Sequence, residues 1–516
     1  MSDGSGERYQ GPIIGSANRG AERDDHEPIP VLVELNVLYP GGLRAVTEAF
    51  FEEWSHYREW ADAPPPEEQP PGSVVEPAPP AGLMRITPKL YQAVLTRAQI
   101  SALIEWDRRA RPAVIFKIWP DYTLEAQIDR SAPTVKADAG WRSYNARGRG
   151  IVWAVLDSGI DGTHPHFQSL EIHAQAKGVP EDWEVAAGVP SRTRDLHQDF
   201  SGLVHVKGVA AVDRPRPLTD EMGHGTHVAG IIAGHTPPGA KPHVAVSAEP
   251  SGAGYVPRGR VDELSGMAPE CELVSLKVLR RNAQGDWVTS SSALIKALTY
   301  IRQEVNVDPA VLRIHGVNLS CGCPWEPNDY AAGQSPLCQA VNQLVDSGVV
   351  VVVSAGNYGG SADGPAAAAS LGSITEPAHA ETCIAVGSTH REAPHTFGVT
   401  WTSGKGPTLD GRMKPDVVAP GERITSAATG ALRRMKGLDA LPGPDGLLTY
   451  AEQSGTSMAA PHVSGVIAAF LSARPEFIGR PQAVKRLLTE AAVDLGRERY
   501  AQGAGLVDLM RMLSNV

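Results

Sequence analysis

The chain has 516 residues, 42% hydrophobic and 20% charged, with 47 basic against 58 acidic side chains and a net charge of −11. That length predicts two folded units plus linkers, and the acidic balance argues against a broad basic face for nucleic acid. No stretch approaches the roughly 18–20 apolar residues that span a bilayer, and no signal-type apolar core opens the chain. The five cysteines (Cys271, Cys321, Cys323, Cys338, Cys383) are odd in number and scattered. The expectation is a cytoplasmic protein with free thiols and no membrane partner, with non-classical export left open.

Residues 1–29 are polar and aperiodic and are expected to be a flexible segment. From Val31, apolar Val31, Val33, Leu35 and Val37 alternate with Leu32, Glu34 and Asn36, the period of a strand. Leu43, Val46, Phe50, Trp54 and Tyr57 follow at helical spacing. Residues 62–82 carry eight prolines, a semi-extended insert. Beyond it, Leu90 to Leu95 reads as a strand. Thr96 with Gln99 has the spacing of a capping box ahead of a helix through Ile100, Leu103 and Ile104. Val114, Phe116 and Ile118 alternate as a strand ending near Pro120, and a further strand is expected near Gly82 to Ile86. Residues 30–130 therefore predict a small α+β domain with helices on one face of a sheet, interrupted at 62–82.

From about Ser131 the pattern changes. Apolar runs at Ile151 to Leu156, Leu273 to Val278, Ile314 to Leu319, Val349 to Ser354 and Ile384 to Val386 alternate with helical segments. Those segments are Thr226 to Gly234, Ser292 to Glu304 and Leu337 to Ser347. Continuous apolar strands separated by helices predict an α/β domain over 131–516, with a mainly parallel sheet covered on both faces. The Gly/Pro-rich stretch 235–260 is expected to be a long surface loop.

Four segments carry chemistry. Asp157 closes the strand at 151–156 and enters a Ser-Gly turn, at the sheet edge where α/β sites gather; alone it reads as a solvated turn residue. His224 opens a helix between Gly223 and Gly225. It offers a base, or with His227, His164 and His166 a metal group, although functional zinc needs three or four protein ligands. Asn357 ends a buried strand, where its amide is placed to donate to an oxyanion or to close a tight turn. Ser457 stands at a helix N-terminus, among unpaired N–H groups and a positive dipole end, as a nucleophile or as a helix cap. A hydroxyl nucleophile needs a base, and that base needs an anion to hold its tautomer. Asp157, His224 and Ser457 supply all three in one chain.

The texts AVLDSGID (154–161), HGTHVAG (224–230), VVVSAGN (351–357) and GTSMAAPHVSG (455–465) closely resemble the subtilisin-like serine proteases (peptidase S8), in the order Asp, His, Asn, Ser. NLSCG (318–322) resembles the family's substrate-pairing strand, and KPDVVAPG (414–421) its segment before the serine helix. The resemblance covers about 131–516 and implies the three-layer subtilisin-like fold. It implies catalysis by Asp157, His224 and Ser457, with Asn357 as oxyanion donor and an acyl-enzyme in the hydrolysis of peptide bonds. It implies substrate contacts at Ser320, Cys321, Gly322, Ser354, Ala355 and Gly356, around a neutral pocket for small or apolar side chains. YQAVLTRAQISAL with AVIFKIWPDYTLE is more weakly similar to the family's propeptide. This implies a ferredoxin-like (inhibitor I9-like) α+β domain at 30–130 that acts as an intramolecular inhibitor until processing near Tyr122 to Pro133. No cofactor or metal is expected. The loop after the histidine helix lacks the family's strong calcium pattern, and Asp161 is left as at most a weak calcium ligand. Cys321 and Cys323 flank Gly322 at the pocket, either as oxidation-sensitive thiols or as inert small residues. A peptide ligase or macrocyclase on the same scaffold, and a non-catalytic binding module, are the competing readings.

Overall fold

In the computed structural model, residues 29–56, 80, 82–87, 89–110, 112–120, 131–170, 193, 195–204, 216–240, 242–247, 255–258, 263–308, 310–324, 331–361, 368–438 and 449–515 are described. The chain divides into two units, Met1–Leu124 and Glu125–Val516. Residues 1–28, Tyr57 and almost all of the proline-rich insert lie outside the described residues.

The first unit is a four-stranded antiparallel sheet in the order Met84–Thr87, Leu90–Leu95, Ile29–Leu35, Ile115–Pro120. Helices Gly42–His56 and Arg97–Arg109 connect its strands. Val31, Val33 and Leu35 share one core with Tyr91, Ala93 and Leu95, and with Val46, Phe50, Ile100 and Leu103 of the helices. The capping box forms: Gln99 N donates to Thr96 Oγ1 at 3.2 Å, and Thr96 N to Gln99 Oε1 at 2.7 Å. Two expectations fail at one place. Val37 lies beyond the strand end and is exposed, and Phe116 points to solvent. The register shifts between Glu34 and Leu35, which pair with Lys117 and Ile115, so Phe116 is skipped and Ile115 takes the inward position.

The second unit is built on a seven-stranded sheet. Its order is Val417–Glu422, Ile384–His390, Val350–Ser354, Gly316–Leu319, Val152–Asp157, Glu272–Lys277, Gln198–Asp199, and every pairing is parallel. Along one strand, Trp153 and Val155 enter the core shared with helices His224–Ile232 and Thr456–Ala473. Val152, Ala154 and Leu156 enter the opposite core, with helices Ser291–Tyr300 and Pro336–Asp346. Both faces are covered, which is why this strand is apolar from Val152 to Leu156. The result is the three-layer α/β arrangement.

The stretch 235–260 is not simply a loop. It contains strands His243–Ser247 and Tyr255–Arg258, which join Thr449–Gln453 and Ile424–Ala427 in a second sheet. Val244 and Ala245 are fully buried there. The partner strand lies some 200 residues away, so local Gly/Pro content concealed it. Val417–Glu422 is also a strand despite Pro420 and Gly421; it is an edge strand, where a missing N–H is tolerated. Among the described residues, one helix, Thr456–Ala473, is long and apolar enough by length and composition to cross a membrane, which the sequence reading did not foresee. Its apolar window is 83% buried within the protein.

Candidate active site

Asp157 is the last residue of its strand and is fully buried. Its Oδ1 accepts from Ser158 N and from His224 Nδ1–H, both at 2.8 Å. Oδ2 is buried and makes no hydrogen bond to the described residues. His224 is the first residue of the helix His224–Ile232. Gly225 allows that helix to come so near: a Cβ there would stand 2.2 Å from Gly159 O and 3.1 Å from Asp157 Cβ. Burial alone would lower the His224 pKa; the Asp157 charge and hydrogen bond outweigh it and, with a smaller contribution from Asp220, raise the imidazole above its ordinary value.

Asp220 is one residue that sequence reasoning missed. It is buried, and its carboxylate accepts from Gly223 N at 2.8 Å, Thr226 N at 2.8 Å and Thr226 Oγ1 at 2.7 Å. Burial pushes its pKa up, opposed by these hydrogen bonds. The helix begins at a glycine cap with no side chain to offer, and Asp220 supplies the missing acceptors. An acidic residue shortly ahead of a glycine-capped helix was the available signal.

Ser457 is the second residue of its helix. Its Oγ donates to Ser320 O at 3.0 Å, and Ser320 Oγ donates to Ser457 O at 3.0 Å. The pair is held by a buried chain in which Ser464 Oγ donates to Asn318 Oδ1 at 2.9 Å and Asn318 Nδ2 to Ser320 Oγ at 2.8 Å. No hydrogen bond joins Ser457 and His224. Asn357 is brought beside Ser457 through Thr456. Its Oδ1 accepts from Thr456 N at 2.9 Å and Thr456 Oγ1 at 3.1 Å. The carbonyl end of the amide is thus committed to Thr456, which leaves the Nδ2 donors for another acceptor.

Ser320–Gly322 follows the C-terminal end of one strand, and Ser354–Gly356 begins at the last residue of the adjacent parallel strand. Cys321 and Gly322 make no backbone hydrogen bonds among the described residues. Between the two runs lies Thr375, also missed. A Cβ at Gly322 would meet Thr375 Oγ1 at 2.9 Å, and one at Gly356 would meet Thr375 Cγ2 at 2.5 Å. Thr375 N donates to Ala355 O at 3.1 Å, and Cys323 and Glu376 exchange backbone hydrogen bonds at 3.1 and 2.9 Å. Cys321 is partly buried and Cys323 exposed; burial raises both thiol pKa values, which disfavours reactive thiolates.

His164, His166 and His227, the histidines weighed as a metal group with His224, are engaged elsewhere. His164 Nε2 bonds Thr449 O at 3.0 Å, His166 Nδ1 bonds Tyr450 OH at 3.0 Å, and His227 Nε2 bonds Ala451 O at 2.9 Å. Asp161 accepts from Thr163 Oγ1 at 2.6 Å and Thr429 Oγ1 at 2.7 Å. Among the described residues, no three His, Cys, Asp or Glu side chains gather as for a metal ion.

The profile of the subtilase family matches residues 148–506, more than half of the chain. Thermitase from Thermoactinomyces vulgaris is 28% identical over 309 residues, which covers 58% of this chain and 82% of thermitase. An intracellular serine protease from Paenibacillus polymyxa is 27% identical over 390 residues, 74% of this chain and 86% of the relative. Subtilisin-like protease SBT6.1 from Arabidopsis thaliana is 27% identical over 403 residues, 76% of this chain; the chain spans only 28% of that much longer relative. With the motifs and the parallel sheet that presents them, the match over 148–506 establishes that the chain belongs to the subtilase family, the subtilisin-like serine peptidases of type S8.

Proposed function

We propose that the chain is a serine endopeptidase. The observation that carries this reading is the buried 2.8 Å contact of His224 with Asp157, together with Ser457 at a helix N-terminus beside Asn357. A peptide enters as an added strand along Ser320–Gly322, where Cys321 and Gly322 make no backbone hydrogen bonds among the described residues. Ser457 Oγ leaves Ser320 O, passes its proton to His224 Nε2 and attacks the scissile carbonyl carbon. The carbonyl oxygen becomes an oxyanion, bound by Asn357 Nδ2–H and the Ser457 N–H. His224 then gives the proton to the leaving amine, the C–N bond breaks, and an acyl-enzyme remains. Water, deprotonated by His224, hydrolyses that ester. Asp157 stays ionised, holds Nδ1–H in place and stabilises the imidazolium. Thr375 closes the pocket between Gly322 and Gly356, which favours small side chains at the residue before the cleaved bond.

Residues 30–130 are proposed to be an intramolecular inhibitor, on the strength of their motif similarity alone. Ser457→Ala tests the catalytic reading: casein hydrolysis and fluorophosphonate labelling are both lost, and persistent hydrolysis in that variant refutes it. Intact mass tests the inhibitor reading: the wild type shortens near 122–133 while Ser457→Ala stays full length. Full-length, fully active wild type overturns it.

A further inference from the structure

The loop that carries Asn357 is braced from behind by a buried cation. Lys405 is 8% exposed, and its Nζ donates to three backbone carbonyls: Trp401 O at 2.7 Å, Gly359 O at 2.8 Å and Ser403 O at 3.1 Å. Three ammonium donors meet three acceptors, so the group is fully satisfied. Among the described residues, no carboxylate pairs with it. A buried charge without a counter-ion is costly, and burial accordingly pulls this lysine below its ordinary pKa. An apolar side chain would fill the same space without that cost. An ammonium, however, brings three N–H donors on one atom and satisfies all three carbonyl oxygens at once, which an apolar side chain cannot. The arrangement is that of a carbonyl-lined cation site with a tethered ammonium as its occupant.

Those carbonyls are placed to matter. Gly359 lies two residues beyond Asn357. On the near side of Asn357, Gly404 N donates to Gly356 O at 2.7 Å; on the far side, Gly359 N donates to Thr402 O at 3.0 Å. The two backbones approach so closely that a Cβ at Gly404 would lie 2.4 Å from Ala355 O, and one at Gly359 only 1.7 Å from Ser403 O. Asn357 therefore rides an arch from Gly356 to Gly359 whose two feet are both tied to the strap 402–405. The strap is anchored in turn: Ser373 N donates to Lys405 O at 2.8 Å, and Lys405 N to Ser373 Oγ at 3.0 Å.

We propose that Lys405 is a positioning residue for Asn357: its ammonium gathers the carbonyls of the arch and the strap and so fixes where the oxyanion donor stands. The inference rests on the reading of Asn357 as that donor. Loss of one such donor costs about 10²–10³ in turnover, a magnitude already known for this family, and a misplacement near 1 Å costs up to about 10².

The test is a double-mutant cycle on the full chain, with a peptide p-nitroanilide as substrate. Lys405→Met is expected to lower kcat by about 10- to 100-fold with KM within about twofold, and in the Asn357→Ala background by less than about threefold. Equal losses in the two backgrounds, or a kcat within about threefold of wild type, overturn the proposal. A second arm covers a Lys405→Met protein that does not fold. Lys405→Ala leaves the three carbonyls around a void, and added ammonium or potassium is expected to restore kcat at least threefold where tetramethylammonium at equal ionic strength does not. No recovery, or equal recovery in Asn357→Ala, overturns it. If Ser457→Ala retains hydrolysis, the catalytic reading itself has failed. If Ser457→Ala is inert and Asn357→Ala impaired while Lys405 variants are normal, only this inference has failed.

Discussion

Thr375→Gly should convert a shallow pocket into a deep one. Threonine contributes Cβ, Oγ1 and Cγ2 to the space between Gly322 and Gly356; Oγ1 stands within 3 Å of where a Cβ on either glycine would be, and Cγ2 within 3 Å of one on Gly356. Removing three heavy atoms frees room for two to three methylene equivalents. At about 0.8 kcal/mol per buried methylene, a large apolar side chain gains about 2 kcal/mol relative to alanine, roughly a 30-fold change in preference. The assay is kcat/KM on peptide p-nitroanilides that differ only in the residue before the cleaved bond, Ala against Phe. The backbone contact of residue 375 with Ala355 survives the substitution, and a thermal melt reports the ~1 kcal/mol cost of added chain entropy. A Phe-to-Ala ratio that moves less than about threefold in a folded variant would refute the assignment of Thr375 as the pocket floor.

Other outcomes follow from the same geometry. His224 acts as a base only when neutral, and its pKa is raised, so the acid limb of kcat/KM should have its midpoint above the ordinary histidine value of about 6.5. Asp220→Asn places an amide where only donors approach. It should cost about 1–3 kcal/mol of stability and move that acid limb to lower pH, because Asp220 contributes to raising the His224 pKa. Gly225→Ala drives a Cβ into Gly159 O and should reduce kcat about 100-fold by parting His224 from Asp157, with KM little changed. Burial depresses His166 and His227 to about 3, and His197, His379 and His462 to about 4. The unfolded chain binds protons there from about pH 6.5 downward and the folded chain does not. The thermal midpoint should therefore fall steeply as pH drops from 6.5 towards 4; a midpoint independent of pH across that range would contradict the burial of these rings.

The parallel sheet was legible because strands covered on both faces are apolar at every position, as Val152 to Leu156 are. The capping box at Thr96 and Gln99 was legible because both partners lie within one helical turn. Motif order brought Asp157, His224, Asn357 and Ser457 into view, and the structure gathers them in two contacts, Asp157 with His224 and Asn357 with the segment of Ser457. What stayed hidden depends on distant partners. Strand His243–Ser247 pairs with a segment 200 residues on, Thr375 lies more than 50 residues from Gly322, and Phe116 is displaced by a register shift that no alternation pattern encodes. Ser457 donating to Ser320 O is likewise a property of side-chain packing rather than of any local motif.

In the proposed mechanism Ser457 is a nucleophile activated by His224 and Asp157. Its most direct test is intact mass after treatment with a fluorophosphonate, with the adduct mapped by peptide fragmentation, for the wild type beside Ser457→Ala and His224→Ala. A single adduct on Ser457 is expected in the wild type, none in Ser457→Ala, and labelling slowed at least 100-fold in His224→Ala. An adduct on another residue, or equal labelling of the wild type and Ser457→Ala, would contradict it.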